Sequence, residues 1–207
     1  MYDFLRFVPD NLLDLGFKSY VFMSEKPGFC GRIVRADTPE ELRRKLRRTG
    51  RKAIVGVLTS NESVWREAVM RRRVDMLLDS EERQLDYATL KLAAEKDVTI
   101  ELGLSKFIRT KGLRRMALFE RLKKEIEVIK KFDVPFVVSS AAESIYEVRT
   151  RKQIETFFAH SGCDILRARE FAERLIRRYY DNNYIMDGFE VEAELKDYTK
   201  KRGQQKV

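Results

Sequence analysis

Short apolar runs alternate with amphipathic stretches along almost the whole chain. Residues 2–8 read as a strand, and Pro9-Asp10 then opens a short helix. A second strand is expected at 19–23. Thr38-Pro39-Glu40-Glu41 marks a helix start, with Thr38 as N-cap, Pro39 in the first turn and Glu41 completing a capping box. That helix stops near Gly50, and residues 52–59 form a third strand. Asn61-Glu62-Ser63 caps the next helix, which runs to about Arg73. Strand four covers 74–79, a helix 86–96, strand five 98–104, a long helix 113–131 and strand six 136–139. A helix at 151–159, a short run at 162–165 and a helix at 167–180 complete the series. In the long helix Phe119, Leu122, Ile126 and Ile129 recur at spacings of three and four, so one stripe faces a core.

The strands are near-continuous apolar runs such as Ile54-Val55-Gly56-Val57-Leu58, the pattern of parallel strands covered on both faces. Strand and helix alternating in this way define an α/β fold with a parallel sheet. The length of 207 residues suits a (β/α) barrel in a single domain spanning 1–191. A doubly wound open sheet is the rival, but no Gly-rich phosphate fingerprint follows the first strand. Residues 192–207 are polar, end in a basic run and are expected to be a loose tail.

Composition narrows the possibilities. With 43% hydrophobic residues the chain is no disordered polymer, although 36% of it is charged. No apolar run reaches the roughly 20 residues of a membrane span, and the first residues lack a secretion signal. A cytoplasmic protein without membrane association is the expectation. Cys30 and Cys163 lie too far apart for a zinc motif, and the single histidine, His160, excludes a multi-histidine metal site. His160 falls on a helical run and reads as a C-terminal helix residue.

In a parallel barrel the functional face is the C-terminal end of the strands. Those ends are Asp79-Ser80-Glu81-Glu82, Ser105-Lys106 and Ser139-Ser140. Strand alternation turns Glu101 into the barrel, opposite Ile100 and Leu102. There it is either a general acid/base or, as the favoured reading, half of a buried ion pair with an arginine from a neighbouring strand. The net charge of +9, with Arg outnumbering Lys, points to an anionic partner. Pairs such as Glu40–Arg44, Glu120–Lys124 and Glu170–Arg174 account for about half the cations. The clusters at 106–115 and 149–152 lie beside strand ends and have no such local explanation. Phe107, Tyr146, Phe157, Tyr179 and Tyr180 are candidates for stacking on unpaired bases.

The stretch from Leu85-Asp86-Tyr87 through Lys91-Leu92-Ala93 to Thr99-Ile100-Glu101 and Ser105 resembles the ribonuclease P protein component 3 family. That family is the archaeal counterpart of the eukaryotic 30-kDa RNase P/MRP subunit. Val137-Val138-Ser139-Ser140-Ala141, followed by Glu143 and Glu147-Val148-Arg149, is similar to a second motif of the same family. The resemblance covers residues 70–180 and implies a TIM-like barrel related to the PHP phosphoesterases but without their metal site. It implies a subunit of the ribonuclease P ribonucleoprotein that supports removal of the 5′ leader from precursor tRNA. The RNA subunit then supplies the endoribonuclease chemistry with Mg2+, and this chain supplies no catalytic residue, metal ligand or cofactor. Implied partners are RNase P RNA, precursor tRNA within the complex, protein component 2 in a heterotetramer, and the other protein subunits. Arg83, Lys91, Lys96, Lys106, Lys130, Arg149, Lys152 and Arg169 fall in or beside the matching blocks as RNA-contacting or fold-positioning residues. Two other readings are a stand-alone barrel enzyme on a small phosphorylated substrate with Glu101 as acid/base, and a metal-dependent nuclease using Asp3, Asp79 and Glu101.

Overall fold

A computed structural model describes residues 1–11, 14–50, 53–181, 184–186 and 189–190. Seven strands lie in chain order, each parallel to the next: β1 (Tyr2–Leu5), β2 (Ser19–Ser24), β3 (Gly31–Arg35), β4 (Ile54–Leu58), β5 (Met76–Leu77), β6 (Thr99–Gly103) and β7 (Phe136–Ser139). The helices are α1 (Pro39–Arg47), α2 (Glu62–Val69), α3 (Tyr87–Lys96), α4 (Ser105–Arg109), α5 (Gly112–Phe132), α6 (Arg151–His160) and α7 (Ile165–Tyr180). A small antiparallel hairpin, β8 (Tyr184–Met186) and β9 (Phe189–Glu190), follows.

The sheet curls into a TIM-like barrel whose first and last strands share no ladder. Side chains close the seam instead. The Asp3 carboxylate accepts from the Ser140 amide at 2.7 Å and the Ser140 hydroxyl at 2.8 Å, and the Arg6 amide donates to the Ala142 carbonyl at 2.8 Å. Parallel strands buried on both faces need apolar residues on both, and the core accordingly has two shells. Phe4, Val21, Met23, Ile33, Met76 and Val137 fill the barrel. Val57, Leu77, Ile100, Leu102 and Val138 face Trp65, Leu122, Ile126 and Phe158 on the helices.

The helix starts follow the sequence closely. Thr38, Asn61 and Asp86 accept from Glu41, Ser63 and Thr89 amides, and Thr150 with Gln153 forms a reciprocal capping box. Glu41 accepts from the amide of Asp37, one residue before the cap. α3 and α5 both end in a left-handed aspartate, Asp97 at φ 55° and Asp133 at φ 50°. Their carboxylates receive α7, which crosses under the N-terminal ends of the strands rather than packing as another outer helix. Arg167 pairs with Asp133, Arg174 and Arg178 with Asp97, and the Tyr179 hydroxyl donates to Asp75 at 2.7 Å. Ala172 and Leu175 of α7 meanwhile join the inner apolar shell, so this helix plugs the underside of the barrel.

Several expectations need correction. Residues 31–35 form a strand that the pattern does not reveal, because Arg32 and Arg35 bracket a two-residue apolar run. No helix opens at Pro9-Asp10 among the described residues. Residues 162–165 form a turn into α7, capped by Asp164, because burial of Cys163 produces the apolar signal there. α2 ends at Val69 and leaves Arg71, Arg72 and Arg73 outside the helix. Residues 51, 52 and 192–207, and with them the expected tail, lie outside the described residues.

Candidate functional site

The mouth at the C-terminal strand ends is filled by charges of the chain itself. Glu101, fully buried, points inward from β6 as the alternation requires. It accepts from the Arg6 guanidinium at 2.7 Å, the Asp79 amide at 2.8 Å and the Ser139 hydroxyl at 2.9 Å. Asp79 accepts from the Gly103 amide at 2.7 Å and pairs with Lys106 at 2.8 Å and Arg83 at 3.3 Å. The Arg83 guanidinium also donates to the Glu101 carbonyl at 2.7 Å and pairs with Glu125 of α5 at 3.1 Å. Burial opposes ionisation of Asp79, but Arg83 and Lys106 outweigh it and hold the carboxyl below its ordinary range. Asp3 has no such cation: burial pushes it up to about 6, against the two Ser140 hydrogen bonds that favour the charge.

This arrangement decides between the readings of the barrel mouth. Glu101 is half of a buried ion pair, its oxygens spent on Arg6, Ser139 and a backbone amide, rather than an acid/base open to substrate. The arginine, however, comes from the end of β1 across the barrel and not from a strand beside β6. Asp3, Asp79 and Glu101 each turn to different donors. No group of three or more His, Cys, Asp or Glu side chains that could hold a metal ion is formed among the described residues. Two network members escape the sequence reading. Arg6 looks like the end of an apolar strand, and Glu125 sits inside the apolar stripe of α5. A charged residue at a strand end or within a core stripe is the signal that could have found them.

The eight carried-over cations do not converge on one place. Arg83 and Lys106 are buried in the mouth, where they position the fold and present no cation to solvent. Arg169 is engaged by Glu155 at 2.6 Å between α6 and α7. Lys91, 4.0 Å from Glu95, is exposed on α3, and Lys96 and Lys130 are exposed near the C-terminal ends of α3 and α5. Arg149 and Lys152 alone share the rim beside β7. The cluster at 106–115 also loses part of its unexplained charge, since Arg109 pairs with Glu143 at 2.7 Å and Glu81 at 3.5 Å. Partner choice on the helices differs too: Arg174 binds Asp97 rather than Glu170, and Glu120 takes Lys123. These carboxylates come from other elements or a different helix spacing.

Of the five candidate aromatics, tertiary contacts engage Phe107, Phe157 and Tyr179, while Tyr180 keeps a half-exposed ring with its hydroxyl bonded and Tyr146 stands free. Phe107 and Phe157 stack with Phe119, their ring centroids 4.8–5.7 Å apart. Tyr179 is tied to Asp75, and the Tyr180 hydroxyl donates to the Cys30 carbonyl at 2.8 Å. Tyr146 is 85% exposed in the 3-10 turn Ile145–Glu147 after β7. Beside it the Arg149 guanidinium donates to the carbonyls of Tyr146 at 2.9 Å and Val148 at 2.7 Å. Those bonds fix the guanidinium on the loop without neutralising it.

In class, this is a TIM-like barrel whose mouth is closed by its own ion network, with its free cations on the outside. The family model of RNase P subunit p30 matches residues 31–184. A curated relative, ribonuclease P protein component 3 of Archaeoglobus fulgidus, is 69% identical over 93% of this chain and 96% of its own length. The Methanosarcina mazei protein of the same name is 29% identical over 63% of this chain and 58% of its own. Among solved structures, a chain of the cryo-EM structure of archaeal ribonuclease P with mature tRNA superposes with a TM-score of 0.78. That likeness covers 92% of this chain and 97% of the other at 20% identity, and it bears on the fold. The chain belongs to the RNase P subunit p30 family and is a protein subunit of ribonuclease P.

Proposed function

We propose that the chain acts in ribonuclease P by binding the RNA subunit, using the loop after β7 to hold an unpaired nucleotide. The observation that carries this reading is the combination of an exposed ring, Tyr146, with a docked guanidinium, Arg149, and an exposed ammonium, Lys152. A π-face for a base flanked by two cations for phosphates is the chemistry that recognises single-stranded RNA. Neither Arg149 nor Lys152 forms an ion pair with any described residue. Catalysis then belongs to the RNA subunit and its Mg2+, with precursor tRNA as the substrate of the complex in the cytoplasm. Component 2 and the other protein subunits are the expected protein neighbours. Leu113 and Met116, 83% and 64% exposed on the first turns of α5, support a protein contact on the same end of the barrel.

The test is reconstitution. Precursor tRNA cleavage by the assembled enzyme should fall about tenfold at limiting protein when Arg149 and Lys152 are both changed to Ala, with the unfolding temperature unchanged. Full cleavage by that double variant and by Tyr146→Ala would refute the loop as an RNA site.

A further inference from the structure

The densest cation cluster lies on the opposite end of the barrel from the Tyr146 loop. α1 and α2 both finish beneath the N-terminal ends of β4 and β5, and together they bring seven arginines to the underside: 43, 44, 47, 48, 71, 72 and 73. Three hollows of about 370, 240 and 140 Å³ share Arg72 in their linings. The smallest is also lined by Asp75 and Asp97, whose carboxylates are taken up by Tyr179 and by Arg174 and Arg178. Glu67 alone among the described carboxylates is in ion-pair contact with the seven, shared between Arg43 at 2.6 Å and Arg71. Arg73 serves the fold, donating to the Leu46 carbonyl at 2.8 Å at the end of α1. Arg44, Arg47, Arg48 and Arg72 are exposed and form no ion pair with a described residue.

Helix dipoles explain a cation or two at each C-terminus. They do not explain this number, because like charges crowded on one surface repel and destabilise the folded chain. Guanidinium groups in excess over carboxylates, around hollows that share Arg72, form a surface that an extended polyanion neutralises. The aromatic content separates the kinds of polyanion. Tyr179 lines the largest of the three hollows with its hydroxyl held by Asp75, and the half-exposed Tyr180, its hydroxyl bound to the Cys30 carbonyl, lines none of them. The hollows themselves therefore offer guanidinium groups without an unengaged ring for a base. Phosphate contact without base stacking is the mode of duplex recognition.

We propose that this underside, centred on Arg47 and Arg72, grips the phosphate backbone of a base-paired RNA segment. Resting on the RNA-binding reading above, it makes the chain a bridge between two RNA elements, an unpaired one at the β7 loop and a helical one beneath the barrel. The depth of a five-residue strand, about 16 Å, separates the two ends.

The experiment uses the full chain with a blunt 20-base-pair RNA duplex, a single-stranded RNA oligonucleotide and the RNase P RNA, across a salt series. Arg47→Ala/Arg72→Ala should weaken duplex binding about tenfold and lower the log–log salt slope by about two. The same variant should leave single-strand binding and thermal unfolding unchanged. Tyr146→Ala should do the reverse, weakening the single strand and sparing the duplex. Unchanged duplex affinity in Arg47→Ala/Arg72→Ala overturns the underside site, as does an equal loss for both probes. If Tyr146→Ala still weakens the single strand, the β7-loop reading survives that failure. If no variant alters binding to the RNase P RNA, both fail together.

Discussion

Replacing Arg83 by Met tests whether the mouth network is structural. The guanidinium is fully buried, pairs with Glu125 at 3.1 Å and Asp79 at 3.3 Å, and donates to the Glu101 carbonyl at 2.7 Å. Methionine roughly fills the volume and supplies no donor. Asp79 keeps Lys106 at 2.8 Å, but Glu125, 7% exposed, is left without the cation that faces it. Removing one partner of a buried pair costs about 3–5 kcal/mol, which lowers the melting temperature of a chain this size by roughly 10 °C. Urea unfolding followed by circular dichroism measures the loss. Adding Glu125→Leu should restore much of it, since the orphaned charge is then gone, giving a coupling of about 1–3 kcal/mol in the double-mutant cycle. RNA affinity per folded molecule should stay within about twofold, because Arg83 does not reach the surface. A stability loss under about 1 kcal/mol accompanied by a tenfold drop in RNA affinity would refute the argument and make Arg83 an RNA contact.

Three further outcomes are expected. Asp3, raised from 3.8 to about 6, costs nothing while protonated in both states; above pH 4 the folded chain loses stability, and the loss levels off past pH 6 at about 3 kcal/mol. Asp3→Asn retains a carbonyl acceptor and an amide donor for Ser140, so its stability relative to wild type should rise by that amount between pH 4 and 7; a pH-independent difference would contradict the burial argument. Gly103→Ala should cost about 1–3 kcal/mol, because a Cβ there meets the Ala141 Cβ at 2.6 Å and the Asp79 Cβ at 3.3 Å; unfolding titration of that variant checks it. Iodoacetamide at pH 8 should modify the folded chain once, at exposed Cys30, because burial pushes the Cys163 thiol up to about 12; rapid double labelling by mass spectrometry would count against that burial.

The sequence legibly carried what depends on neighbours a few residues apart. Helix caps at Thr38 and Asn61, the apolar stripe of α5 and the inward turn of Glu101 all follow from local motifs and from helix and strand periods, and the alternation of elements implied the parallel barrel. The caps at Asp86 and Thr150 came from the structure. It also carried the family through the blocks around Leu85–Ser105 and Val137–Arg149. Tertiary structure alone decided how charges are shared. Arg6 reaches Glu101 across 95 positions and Asp3 reaches Ser140 across 137, contacts that exist because the curl of the sheet brings β1 against β7. Placing α7 under the barrel likewise commits Arg167, Arg174 and Arg178 to Asp133 and Asp97, a pairing no local spacing contains. Local pattern counts cations, but burial and long-range carboxylates determine which of them stay free to meet an anion, and that assigns Arg83 and Lys106 to the interior and Arg149 and Arg72 to the surface.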